Sequence, residues 1–420
     1  MTVNRRIFTA MTGAAMLDAP GLVQAAAGTI PFYSSAGPVL TLYGLDVARA
    51  VAAPRGRTEL PANVQYAWPH PSRKYLYVIA SNVQPAGGPR MPVGPDQRHY
   101  AFAYRVAPDG ALSPPGPPRL LDARPIHVSV DRAGRYLLIA YNNPSHVTVH
   151  PLGPDGTIGA AVPQPAGLDF GVFAHQVRVT PSNRTVTLVT RGNDAAAGKP
   201  EDPGAIKLFG FRDGVLSNLQ SVAPGNGLGF GPRHLDFHPH LPRVYVSLER
   251  ENALFVYGLT PRGMLTPDPL WRRSSLAAGA ADPPGQTAGP IHLHPNGRFV
   301  YQANRGSGTV RKDGRDVWNG GENSIVVWAL DEKTGDPRFA QRIDTRGFEP
   351  RTFVVDPTGR LLVVANISPL TVARDGGFAG VPACFSLFRI GDDGQLAFVR
   401  KYDVDTSGGT QFWCGLLTMA

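Results

Sequence analysis

Residues 126–142 read IHVSVDRAGRYLLIAYN. Two short runs rich in β-branched and aromatic residues flank a turn, Asp131-Arg132-Ala133-Gly134-Arg135. Each run is too short for a helix and has the composition of a strand. The same pattern recurs five more times: VQYAWPHPSRKYLYVIASN at 64–82, HQVRVTPSNRTVTLVTR at 175–191, HLDFHPHLPRVYVSLE at 234–249, IHLHPNGRFVYQAN at 291–304 and TFVVDPTGRLLVVAN at 352–366. A third apolar run follows most copies, at 147–152, 206–211, 253–259, 325–330 and 384–390. A turn such as Pro154-Asp155-Gly156 or Asp392-Asp393-Gly394 comes next, and then a fourth run.

Four strands per repeat, at a period of about 50–60 residues, is the signature of a β-propeller with one repeat per blade. A lone blade exposes both faces, and stacking the blades around a ring buries them. Six complete copies leave remnants at 30–60, including Val39–Asp46, and at 411–417. Together these would build a seventh blade from both termini. The expected fold is therefore all-β: a seven-bladed β-propeller of four antiparallel strands per blade, closed by N- and C-terminal strands. Residues 28–420 would form one domain.

Composition agrees with this reading. Hydrophobic residues make up 42% of the 420-residue chain and charged residues 17%, enough to bury a core. With 48 glycines and 41 prolines the chain is rich in turns. No run of about 18 apolar residues appears, so no membrane-spanning helix is expected. The formal net charge is +9. The basic residues are scattered, without the one-sided cluster of a nucleic-acid binder, so nucleic acid is not an expected partner.

Residues 1–27 look like an export signal. Asn4-Arg5-Arg6-Ile7-Phe8 resembles a twin-arginine motif, a modestly apolar stretch follows, and Ala25-Ala26-Ala27 offers a cleavage site. A periplasmic location is expected. Cys384 and Cys414 are the only cysteines, and they would sit in neighbouring blades where a disulfide is open to them.

The first strand of each repeat starts, and the second ends, on one face of the disc. The starts carry His127, His175, Arg233, His234, His292 and Arg351, and the ends carry Asn142, Arg191, Glu249 and Arg305. Cationic and imidazole groups from several blades thus converge on one mouth. Four long loops, 83–99, 192–204, 306–323 and 367–380, share that face; Met91 and Trp318 within them are placed to cover an organic ligand.

The chain resembles the seven-bladed propeller lactonases, which include bacterial 6-phosphogluconolactonase and the fungal carboxymuconate cyclases. The resemblance spans roughly 38–417. Its most specific segment is Gly231-Pro232-Arg233-His234 through Phe237-His238-Pro239, supported by Ala174-His175-Gln176-Val177, Ala303-Asn304-Arg305-Gly306 and Pro350-Arg351-Thr352-Phe353. The resemblance implies a catalytic group of His175, Arg233, Glu249 and Arg305. One departure is Thr190-Arg191-Gly192-Asn193 and the insertion after it, where the family has an Asp-Leu-Gly type of segment.

The expected function is hydrolysis or formation of a small anionic lactone at this mouth. Arginine binds carboxylate or phosphate in bidentate fashion and stabilises a developing oxyanion. Arg191, Arg351, His127, His234 and His292 are the expected substrate-binding groups. Glu249 beside arginines should be ionised, orienting His175 or acting as base, and His175 suits proton transfer. The plain alternatives are a structural salt bridge for Arg233 and Glu249, and satisfied core histidines at His175 and His234. The competing function is a non-catalytic propeller that binds an anionic ligand or a protein. His292 with His294, and His238 with His240, lack third and fourth ligands, so no metal is expected. No cofactor motif, nucleophile elbow or P-loop occurs. The protein is expected to act as a monomer on a sugar-acid or carboxylated lactone, because an exported enzyme would not meet cytoplasmic 6-phosphogluconolactone.

Overall fold

The computed structural model describes residues 28–83, 97–280 and 283–417. The expected export segment and Met91 lie outside the described residues. Among the described residues the regular elements are strands, apart from one 3-10 turn, Pro224–Gly227, and no helix is long and apolar enough to cross a membrane.

The sequence repeats fold as sheets whose strands pair mostly in chain order. Sheets 1 to 6 begin with Asn63–Pro69, Pro125–Val130, Ala174–Val179, Pro232–Phe237, Gln286–Leu293 and Phe348–Val355. A terminal sheet joins both ends of the chain. Cys414–Leu416 pairs with Thr29–Ala36, followed outward by Val39–Asp46 and Val51–Glu59. This is the pairing anticipated from the two remnants.

Sheet 2 departs from the four-strand pattern and has three strands. Residues 160–168 form no fourth strand, and Pro163 and Pro165 within them lack the N–H groups a ladder needs. Only isolated bonds remain, including Val162 N–H to Val149 O (2.8 Å). Two of the long loops are also structured. The hairpins Thr309–Lys312/Arg315–Trp318 and Leu370–Arg374/Gly377–Val381 join through a parallel bridge at Val317 and Thr371 into a small extra sheet.

The apolar cores lie between consecutive sheets. One groups Val64, Leu76 and Val78 of sheet 1 with Tyr33, Leu40 and Trp413 of the terminal region. Another groups Leu361, Val363 and Phe385 of sheet 6 with Phe32 and Leu45 of the terminal sheet. Five further cores link sheets 1 to 6 in sequence. Burying each large side chain contributes about 1.5–3 kcal/mol.

Polar bonds repeat between the sheets as well. The Nε2 atoms of His70, His238 and His294 bond the carbonyls of Gly134, Gly297 and Gly359 in the next sheet, at 2.8–2.9 Å. Tyr77, Tyr245 and Tyr301 donate their hydroxyls to the turn carbonyls of Gly156, Gly335 and Gly394. His238 and His294 are therefore structural links. Cys384 and Cys414 are buried free thiols, with Cys414 against Thr352 and Cys384 near Asn366 and Ser386.

Candidate active site

The site is built by a backbone irregularity repeated at the start of the innermost strands. Each of these strands bonds its neighbour in regular register until one residue bulges out. The extra residue is Gln65, Ile126, His175, Arg233 or Arg351, and in sheet 5 it is the pair Gly289-Pro290. A bulge turns its side chain out of the pleat and re-aims it. In three sheets a left-handed residue stands two positions earlier: Phe173 (φ 57°), Gly231 (φ 42°) and Glu349 (φ 55°). Such backbone costs on the order of 1–3 kcal/mol for a non-glycine residue. The end of the second strand ties this kink down. Arg191 N–H donates to Phe173 O (2.9 Å) and Glu249 N–H to Gly231 O (2.8 Å).

Of these bulged residues, Ile126, His175, Arg233 and Arg351 line a cavity of about 850 Å³. His175, Arg233, Glu249, Arg305, Arg191 and Arg351 all line it. The other three expected substrate-binding residues do not. His127 is fully buried behind Tyr66, with ring centroids 4.4 Å apart, and His234 packs on His175 at 5.1 Å. His292 faces Asp236 (Nδ1 to Oδ2 3.7 Å) and Phe353. For His127 and His234 strand alternation explains this, because each directly follows a bulged residue and so faces the other way.

Glu249 is the hub. It accepts from Arg191 Nε (3.1 Å), Arg233 Nη1 (3.0 Å) and Arg305 Nη2 (2.8 Å). Burial alone would raise its pKa. Arg233, then Arg305 and Arg191, outweigh that and hold it far below the ordinary carboxylate range. Glu249 therefore stays ionised and serves as an anchor for three guanidinium groups. Among the described residues no hydrogen bond joins it to His175. The salt bridge foreseen as an alternative is present, and it stands in the cavity wall.

Among the described residues His175 has no hydrogen-bond partner, and its Nδ1 is buried. Burial first, then the charges of Arg233 and Arg351, push its pKa well below 6.5. The imidazole is thus neutral at neutral pH. Burial and the Arg305 charge also lower Arg233 to about 9.

The wall residues that were not anticipated include Arg124, Glu349, Phe412 and Asp194. Glu349 receives Ser368 Oγ (2.5 Å) and lies 3.8 Å from Arg305 Nη1. Asp194 pairs with Arg191 Nη2 at 2.7 Å. Arg124 donates to Gln65 Oε1 (2.5 Å), while its Nε is buried without a partner. The readable signal is the proline before three of the bulges, in Arg124-Pro125-Ile126, Gly231-Pro232-Arg233 and Glu349-Pro350-Arg351.

A family model described as a lactonase, seven-bladed β-propeller, matches residues 30–373. The chain belongs to this lactonase family. The match includes the cavity arginines, Glu249 and His175; Phe412 lies beyond it. The 6-phosphogluconolactonase of Bacillus subtilis is 32% identical over 248 residues, covering 58% of this chain and 63% of that one. The chain thus matches less than two thirds of that relative. The 6-phosphogluconolactonase of Pectobacterium carotovorum is 29% identical over 310 residues, covering 73% and 79%. Among solved structures, the periplasmic gluconolactonase of Pseudomonas aeruginosa superposes with a TM-score of 0.65 at 22% identity, covering 93% of this chain and 99% of that one. At that identity the likeness is one of fold.

Proposed function

We propose that this lactonase-family chain hydrolyses a small anionic lactone in the cavity bounded by His175, Arg233 and Arg305. The observation that carries this is a neutral, unpartnered imidazole beside two guanidiniums fixed by one carboxylate. In the proposed reaction the lactone carbonyl oxygen faces Arg233 and Arg305. Water adds to the carbonyl carbon as His175 takes its proton, and the arginines stabilise the oxyanion. The ring C–O bond then breaks, and His175 returns the proton to the leaving alkoxide to give the hydroxy acid. A bound anion offsets the arginine charges that depress His175, which raises its basicity when substrate is present.

The fold reading behind this is a closed ring of seven blades. Its support is the terminal sheet, which shares one core with sheet 1 and another with sheet 6. Export through residues 1–27, a single domain over 28–420, periplasmic action and a monomeric state belong to the same reading. Export favours a carboxylated sugar-acid lactone over a phosphorylated cytoplasmic one.

One observation favours the second reading, an anion receptor without turnover: among the described residues no carboxylate bonds His175 to orient it. A lactone panel separates the two. Loss of turnover with retained ligand binding in His175→Gln supports the enzyme; binding with no hydrolysis of any lactone supports the receptor.

A further inference from the structure

A second cavity, of about 390 Å³, lies at the other end of the inner strands. Pro69, Val130 and Val179 line it, and they are the last residues of Asn63–Pro69, Pro125–Val130 and Ala174–Val179. The first cavity takes Ile126 and His175, near the starts of two of these strands. From His175 to Val179 is four residues, roughly 13 Å along an extended strand. The two cavities have no lining residue in common.

The second cavity has an apolar side and a cationic side. Trp68, Val130, Val179 and Leu416 supply the first, and Arg73, Arg132 and Arg178 bring guanidinium groups from three successive sheets. Arg178 is held by packing. Its guanidinium lies over Trp68, 4.7 Å from the ring centroid, and over Phe237 at 5.8 Å. Stacking fixes the plane of a guanidinium and leaves its edge for donation. Asp236 pairs with Arg178 Nη2 at 3.4 Å, yet the same carboxylate accepts the Phe237 and Leu293 amides, both at 3.0 Å, and faces His292. Asp131, the carboxylate in the lining, accepts the amides of Ala133, Arg135 and Tyr136 and the side chain of Asn183. Desolvation and then the charge of Arg178 lower the Arg132 pKa, and Asp236 opposes them, so the two guanidiniums lie within each other's field. Three cations against two carboxylates already engaged by backbone amides leave this cavity net positive beside an apolar wall.

We infer that the second cavity is a binding site for a small organic carboxylate with an apolar body. Arg178 and Arg132 receive the carboxylate, for which the planar guanidinium is a bidentate partner. Val130, Val179 and Leu416 cover the body, and the volume suits a molecule of that size. An inorganic anion gains nothing from that wall, and a neutral apolar molecule gains nothing from the arginines. The site is distinct from the one proposed to open lactones and stands whether or not that reaction occurs.

The test is titration calorimetry on the full chain with benzoate, acetate, inorganic phosphate and benzyl alcohol. Arg132→Gln, Arg178→Gln and Arg305→Ala are compared with the wild type. Benzoate should bind at one site, about tenfold or more tighter than the other three, the scale of one charged hydrogen-bonded contact. Arg132→Gln and Arg178→Gln should each weaken benzoate by about tenfold, and Arg305→Ala, in the first cavity, should leave it unchanged. Arg132 stands on an exposed turn, so its variant tests the site even where Arg178→Gln fails to fold. No benzoate binding by the wild type overturns the inference, as does unchanged affinity in the folded Arg132→Gln and Arg178→Gln variants. Binding lost in Arg305→Ala and kept in Arg132→Gln places the acid in the first cavity and overturns it too. Acetate, phosphate or benzyl alcohol binding as tightly as benzoate overturns the ligand class.

Discussion

At the scale of the residue, Glu249 has the most neighbours to answer to. Changing it to Gln leaves Arg191, Arg233 and Arg305 in one buried place with no central carboxylate. Breaking a buried ion pair from one side costs about 3–5 kcal/mol, so Glu249→Gln should lower the melting temperature sharply and abolish turnover. Calorimetric unfolding together with a lactone assay checks both; a variant as stable as wild type contradicts the anchor role. The buried histidines make a second prediction. His127, His175 and His234 are all held well below 6.5, chiefly by burial. Below about pH 6.5 the unfolded chain binds protons at these positions that the folded chain refuses, so stability falls as pH drops from 7 toward 5. Melting temperatures across that range test this, and His127→Asn should flatten the slope. For the same reason the free enzyme's kcat/KM should show no inflection between about pH 6 and 8 from His175.

At the scale of the element, the bulge and the left-handed residue before it aim His175, Arg233 and Arg351 at the cavity. Gly231 is the sharpest case. Its φ is +42°, and a Cβ there would stand 2.5 Å from the Arg250 side chain. Gly231→Ala should destabilise the protein by about 1–3 kcal/mol and displace Arg233, lowering activity more than a surface substitution of equal stability cost. This element was also the least legible in the sequence. The runs 126–142 and 352–366 disclosed their strands through composition and turn residues. The bulge, in contrast, changes which face a side chain takes without changing the composition. His127, His234 and His292 were therefore assigned to the mouth, and Arg124 and Glu349 were overlooked. The hairpins of 309–318 and 370–381 were read as loops because each finds its sheet partner only in the other, across more than fifty residues of sequence.

At the scale of the whole molecule, the repeats made the architecture legible, and the pairing of the two termini followed from what they left over. Cys414–Leu416 supplies the innermost strand of the terminal sheet, and Phe412 and Trp413 precede it into the cavity wall and a core. A chain ending at Gly409 should lose cooperative unfolding, because Thr29–Ala36 is left with an open edge and two cores lose members. The two thiols are free, so a reductant should leave the melting temperature unchanged; a fall would show a disulfide instead.

The central claim is that the cavity opens lactones through His175 and the Glu249-anchored arginines. Acid release from a panel of neutral and anionic lactones, followed with a pH indicator, tests it most directly in the wild type, His175→Gln and Arg305→Ala. The account predicts hydrolysis by the wild type, with losses of about 10²–10⁴-fold in His175→Gln and about 10²–10³-fold in Arg305→Ala. Hydrolysis that survives both substitutions in folded protein, or none in the wild type, would contradict it.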